Sequence, residues 1–134
     1  MELNPIGTVE SVLTDLQAAP RQGDEGAPDA RLVFDSAVLD GLDGIRPGDE
    51  IIVITWLHLA RRDGLRAHPR GDVSRLEQGV FSTRSPHRPN PIGLHRVVVV
   101  SIDGCRILVW KLEAVDGTPI LDVKPALSSD IAER

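Results

Sequence analysis

The stretch Leu94-His-Arg-Val-Val-Val-Val-Ser-Ile-Asp-Gly-Cys-Arg-Ile-Leu-Val-Trp-Lys-Leu-Glu113 decides the fold class. Two runs rich in valine and isoleucine, Leu94 to Ile102 and Cys105 to Glu113, meet at Asp103-Gly104. Asp-Gly between two such runs is a hairpin signal, because glycine supplies the positive φ that a tight turn needs. Downstream, Asp116-Gly-Thr-Pro119 reads as a second turn and Ile120 to Val123 as a short strand. Upstream, Ile51 to Leu59 is apolar apart from Thr55 and His58, and is predicted as a strand buried on both faces. Ile6 to Leu13 and Arg31 to Asp35 are two further strands. Leu39 to Ile45 is predicted as a turn of helix before the tight turn Arg46-Pro-Gly-Asp49. Short strands at this spacing predict an all-β chain, a barrel or a sandwich, with little helix.

Between the strands lie three irregular segments. Gln17 to Ala30 is rich in Pro, Gly, Asp and Ala. Ala60 to Gln78 is basic and broken by Gly and Pro; a loop of that length in a compact domain is usually functional or disordered. Gly79 to Gly93 holds three prolines, two arginines and a histidine. Each proline fixes its own φ and pushes the preceding residue toward an extended shape. The result is a stiff loop carrying Arg84, His87, Arg88 and Asn90. Such a loop suits an anionic or planar polar ligand, since little entropy is left to lose on binding. The alternative is a surface crossover that happens to be rich in proline.

The chain has 134 residues, enough for one domain, 1–134, with a proper core. Aromatic residues are 3% of it, so that core must be mostly aliphatic. A single cysteine, Cys105, excludes an internal disulfide and fits a reducing compartment. The N-terminus has no signal-peptide pattern and no apolar run reaches membrane-spanning length, so the expectation is a cytoplasmic protein with no membrane partner. Net charge is −5, against general nucleic-acid binding. Yet residues 61–96 hold eight of the fifteen Lys and Arg and only three acids, so this segment is +5 and the remainder −10. A basic patch on an acidic body can dock a polyanion locally, or can simply be a solvated loop.

No phosphate-loop or dinucleotide glycine signature is present, which argues against ATP hydrolysis and a Rossmann cofactor site. One cysteine and four scattered histidines offer no metal-ligand spacing, so no metal site is expected.

The Gly79–Gly93 loop resembles the signature of the TsaA-like (YaeB/TrmO) proteins. Ile6-Gly7, Pro20-Arg21-Gln22, Trp56-Leu57-His58 and Asp116-Gly-Thr-Pro119 with Leu121-Asp122 and Lys124-Pro125 match that family in order along the chain. The resemblance implies a compact β-barrel that forms homodimers. It implies an S-adenosyl-L-methionine-dependent methyltransferase acting on N6 of threonylcarbamoyladenosine, beside the anticodon of tRNA. Carried over by motif, the cofactor contacts are Pro20, Arg21, Gln22, His58, Leu59, Arg84, Leu94, Asp116, Gly117, Thr118 and Pro119.

Those residue types suit the ligand. Arg84 or Arg21 can hold its carboxylate in a forked contact. Asp116 can accept from its ammonium or ribose hydroxyls or face the sulfonium, although Asp-Gly is also an ordinary turn-former. Glycine at 117 allows close backbone approach to an adenine edge, which Leu94 and Pro119 can wall. A threonylcarbamoyl N6 is a poor nucleophile when neutral, so a base helps. His58 is the candidate, with Asp122 the alternative; His58 is equally readable as a satisfied histidine closing a buried strand. His87, Arg88, Asn90, Arg61, Arg62 and Arg66 are candidates for the anticodon loop, whose unstacked bases can also stack on a planar side chain such as Trp56.

The chain ends soon after Lys124-Pro125 and so resembles the short, single-domain form of the family. Two positions depart from its pattern: Ala126, where tyrosine often follows Lys-Pro, and His95, where a small residue is usual. Two other functions fit the same motifs: a cofactor-binding protein without turnover, and a methyltransferase for a substrate other than tRNA.

Overall fold

A computed structural model of the chain describes residues 1–14 and 29–127. Among the described residues eight strands form: β1 Gly7–Glu10, β2 Ala30–Phe34, β3 Glu50–Trp56, β4 Arg66–Ala67, β5 Gln78–Gly79, β6 Ile92–Asp103, β7 Arg106–Trp110 and β8 Pro119–Pro125. Six pair antiparallel in the order β1-β2-β7-β6-β3-β8. β8 pairs back to β1 through Gly7↔Ile120 and Thr8↔Pro119, so the sheet closes on itself. Closure pairs each of these six strands on both sides. β4 and β5 make a separate two-stranded ribbon within the basic segment.

Alternation in the sequence sets what faces inward. β1, β2, β6 and β7 switch between buried and exposed residue by residue over most of their length. This brings Val9, Leu32, Val53, Val97, Ile107 and Ile120 into one core, with Phe34 its only aromatic member. The aliphatic core expected from the composition is therefore the one formed. β3 departs from alternation where its apolar run begins, with Ile51, Ile52 and Val53 all buried, but it ends at Trp56 rather than Leu59, and His58 and Leu59 are exposed. Ile52 sits opposite Arg96 on β6 and Lys124 on β8. The alkyl stems of long cations flank such a residue and cover apolar surface.

The predicted elements hold in kind and shift at their ends. β7 stops at Trp110 rather than Glu113, because Lys111 adopts φ 60, outside the extended region. The chain beyond it stays inside, with Leu112, Ala114 and Val115 buried. The helical turn near Leu39 is a 3₁₀ segment, Ser36–Leu42. Arg46 to Asp49 makes the tight turn, with Asp49 N donating to Arg46 O at 3.1 Å and Gly48 at φ 94. Most of the Gln17–Ala30 segment, including Pro20, Arg21 and Gln22, lies outside the described residues.

Candidate functional site

β3 delivers Leu57, His58 and Leu59 to one end of the closed sheet, where Leu57 N donates to Pro91 O at 2.8 Å. On its other side β3 pairs with β8, Thr55 opposite Ile120. β8 is entered through the Asp116–Pro119 turn, so the turn arrives beside His58. A Cβ built at Gly117 would lie 3.9 Å from His58 Nε2, and Gly117 itself has φ 81.

Backbone and side-chain bonds hold this turn. Gly117 N donates to Val9 O at 2.7 Å and Val9 N to Thr118 O at 2.9 Å. The fully buried Thr118 hydroxyl donates to Val115 O at 2.7 Å. Asp116 N donates to Leu13 O at 2.5 Å, and Asp116 Oδ1 accepts from Ser11 N at 3.0 Å. Asp116 thus anchors the chain that follows β1 while its residue stays exposed. His58, Leu59 and Leu94 are exposed as well.

Arg84 stands elsewhere. It lines a cleft of about 190 Å³ with His68, Arg70 and His87, and neither His58 nor Asp116 lines that cleft. Arg84 is exposed and makes no hydrogen bond or ion pair with another described residue. Within one chain, then, His58 and Gly117 come together, and Arg84 belongs to a second, cationic cleft.

Of the residues expected to face RNA, Arg61, Arg62, His87 and Asn90 tie the two loops to each other, and Arg88 braces its own. Arg88 donates to three carbonyls of its own loop, Val80 O at 2.9 Å, Ser85 O at 3.0 Å and Thr83 O at 3.1 Å. Arg62 donates to Pro89 O and to Asn90 Oδ1, both at 2.8 Å, and its guanidinium lies 5.2 Å from the Trp56 ring centroid. His87 Nδ1 accepts from Arg61 N at 3.0 Å. Arg61 pairs with Asp63 and Arg66 with Glu77, each at 3.2 Å and exposed. Beside them, Asp72 accepts from Ser74 Oγ at 2.6 Å and from Ser74 N at 2.9 Å. These bonds hold its carboxyl below the ordinary 3.8.

Asp122 lines a different cleft, of about 640 Å³, with Ile6, Phe34, Val38 and Lys124. Its carboxylate accepts from Val123 N at 2.9 Å and pairs with Lys124 at 3.4 Å. Among the described residues no group of three or more His, Cys, Asp and Glu gathers as a metal site, and no helix is long and apolar enough to cross a membrane.

One polar cluster was not anticipated. Thr55 Oγ1 lies 2.7 Å from His95 Nε2, and His95 Nδ1 lies 2.5 Å from Glu113 Oε1. Thr55 is 0% exposed and His95 4%. Parity was the available signal: Thr55 keeps step with the inward Val53, and His95 with the inward Val97 and Val99. A polar residue at a core parity needs a partner, and Glu113 supplies it.

Residues 8–130 match the family described as the tRNA-methyltransferase O N-terminal domain. The chain is 40% identical over 125 residues to a probable S-adenosyl-L-methionine-binding protein of Methanothermobacter thermautotrophicus, covering 93% of this chain and 89% of that one. It is 42% identical over 124 residues to an S-adenosyl-L-methionine-binding protein of Archaeoglobus fulgidus, covering 92% and 88%. Its fold matches the crystal structure of TrmO from Pseudomonas aeruginosa with a TM-score of 0.78 at 27% identity. That match covers 100% of this chain and 60% of the solved one, so the chain spans about three fifths of the solved chain's length. A closed sheet without the glycine fingerprint, a turn set against the histidine ending β3, and a match over residues 8–130 agree: the chain belongs to the TrmO N-terminal domain family.

Proposed function

We propose that this chain is a methyltransferase for tRNA, acting on N6 of threonylcarbamoyladenosine next to the anticodon, with S-adenosylmethionine as its cofactor. The single observation that supports the site is the approach of His58 to Gly117. A side chain at 117 would stand at the histidine, and glycine leaves that space and the turn's backbone open to a ligand. The exposed Asp116 carboxylate suits the ammonium or ribose hydroxyls. Leu59 and Leu94 supply exposed apolar surface for the adenine, 50% and 46% accessible. Asp116 and the apolar residues fit the cofactor; the cationic partner for its carboxylate is Arg84.

Because Arg84 lines a separate cleft, a homodimer completes the site: the Arg84 cleft of one protomer meets the His58–Gly117 corner of its partner. Pro20, Arg21 and Gln22 are assigned to the same corner on their motif alone.

The cofactor supplies an electrophilic methyl group on a sulfonium. The protein's part is to align the acceptor and relieve it of a proton. His58 is favoured as base over Asp122, since it stands at the corner while Asp122 is engaged by Lys124 in another cleft. His87, Arg61 and Arg66, on the basic segment, are assigned to the RNA. Arg62, Arg88 and Asn90 act there through the loop shape they maintain.

Calorimetry with S-adenosylmethionine on wild type and Arg84→Ala tests the site, and no heat with wild type overturns it. Methyl incorporation into tRNA carrying threonylcarbamoyladenosine, against tRNA lacking it, tests the reaction. The second reading, a cofactor-binding protein without turnover, is favoured by the names of the archaeal relatives. It takes over if the cofactor binds and no tRNA is methylated.

A further inference from the structure

We propose that Thr55, His95 and Glu113 are positioning residues for the cofactor corner, acting as one hydrogen-bonded chain. This rests on reading the His58–Gly117 corner as the cofactor site. The three side chains sit on three separate segments, each next to a residue of that site. Thr55 on β3 is three residues before His58, His95 on β6 follows Leu94, and Glu113 is three residues before Asp116.

The third segment is the one that needs holding. β7 ends at Trp110 and β8 begins at Pro119, so residues 111–118 belong to no strand ladder. The 2.5 Å contact from Glu113 to His95 ties that segment to β6, and the 2.7 Å contact from His95 to Thr55 ties both to β3. The elements that bring Gly117 and His58 together are thus stitched by side chains within a largely aliphatic interior. In that low dielectric a satisfied polar chain is strong and directional, and it selects one arrangement.

The protons can be counted. With Glu113 as a carboxylate and His95 as the Nδ1–H imidazole, the Thr55 hydroxyl donates to Nε2 and Nδ1–H donates to Glu113, so every donor has an acceptor. The opposite tautomer would face two acceptors, Nδ1 and the carboxylate, across 2.5 Å. Gly93 makes the chain possible. It sits opposite Thr55 on the inward face, and a Cβ there would collide with Thr55 Oγ1 and with His95 Nε2. The missing side chain lets the His95 ring fold back diagonally to reach Thr55, a neighbour within range of long side chains in a sheet. His95 is therefore accommodated by its own hydrogen-bonded setting.

The test uses Thr55→Val, Thr55→Ser and Glu113→Gln, each first checked for folding at the assay temperature by its thermal transition. Calorimetry with S-adenosylmethionine is expected to show roughly three- to tenfold weaker binding for Thr55→Val and for Glu113→Gln. Thr55→Ser, which keeps the hydroxyl, is expected to retain wild-type affinity. The Thr55→Val/Glu113→Gln double variant should bind about as weakly as the worse single variant, because both break one chain. Wild type that binds alongside folded variants of equal affinity overturns this inference alone and leaves the corner as the cofactor site. A Thr55→Ser variant that loses as much as Thr55→Val also overturns it, since packing and not the hydroxyl would then matter. Wild type that does not bind removes the corner and this inference together. Should Thr55→Val or Glu113→Gln fail to fold, imidazole ¹⁵N spectra of wild type decide. A His95 that carries a proton on Nδ1 and whose signals move on adding the cofactor is expected; a ring without that proton, or signals indifferent to the cofactor, overturns the proposal.

Discussion

His58 Nε2 stands 3.9 Å from the point where a Cβ at Gly117 would lie. This contact spans 59 positions of sequence, the difference between 117 and 58, and joins the end of β3 to the turn that opens β8. Gly117 has φ 81, a conformation that costs an L-residue about 1–2 kcal/mol. Gly117→Val therefore combines backbone strain with a bulky group set against the imidazole. Expected are a stability loss of about 1–3 kcal/mol by chemical denaturation and loss of S-adenosylmethionine binding by calorimetry. Binding unchanged in Gly117→Val would remove the corner from the site.

The separation of Arg84 from that corner makes a prediction about assembly. Arg84→Ala and Gly117→Val protomers are each expected to be inactive as homodimers. Mixed and re-annealed, they should recover binding in about a quarter of all pockets if heterodimers form at random and each pairs an intact Arg84 with an intact Gly117. Recovery of no sites in a mixture shown by mass spectrometry to contain heterodimers would place Arg84 and Gly117 in the same protomer's pocket.

Arg88 points its guanidinium at three carbonyls between Val80 and Ser85. Arg88→Ala is expected to destabilise the protein by about 1–3 kcal/mol, through unsatisfied carbonyls rather than lost charge. Arg88→Lys should restore only part of this, since an ammonium lacks the planar fork. Hydrogen exchange should rise across residues 79–90 before it rises in β6. Full rescue by lysine would return Arg88 to a purely electrostatic role.

The Asp72 carboxyl sits below its ordinary value because Ser74 donates to its charged form twice. A depressed folded value means that the ionised form is favoured by folding. Its contribution is present above the unfolded value, near 3.8, and is lost as pH falls through the folded value. Ser74→Ala removes the hydroxyl bond and keeps the backbone one; it is expected to raise the Asp72 midpoint toward 3.8 in a carboxyl ¹³C titration, with a small stability loss that is present at neutral pH and fades as pH falls through the folded value. A midpoint that does not move would assign the shift to the backbone N–H at 74, which alanine keeps, and to Arg75 and His68.

Local sequence by itself determined the strands, because alternation and turn chemistry act between near neighbours. The glycine of Asp103-Gly104 sets the β6–β7 hairpin, whose turn falls one residue later, on Gly104-Cys105; Arg46 to Asp49 sets the turn before β3, and the inward parity of Val9, Leu32, Val97 and Ile107 the mostly aliphatic core. The motif residues at 58, 84 and 116 were likewise legible in order, and with them the family. Tertiary structure alone decided which of them meet. Pairing of β8 with β3 sets the Asp116–Pro119 turn beside His58, and the interlocking of Arg62 with Asn90 and of Arg61 with His87 holds the basic loops where Arg84 lines its own cleft. The Thr55–His95–Glu113 chain is the clearest case. Parity flags Thr55 and His95 as inward polar residues, but their hydrogen bonds exist only because the ends of β3 and β6 and the segment after β7 converge where Gly93 leaves room.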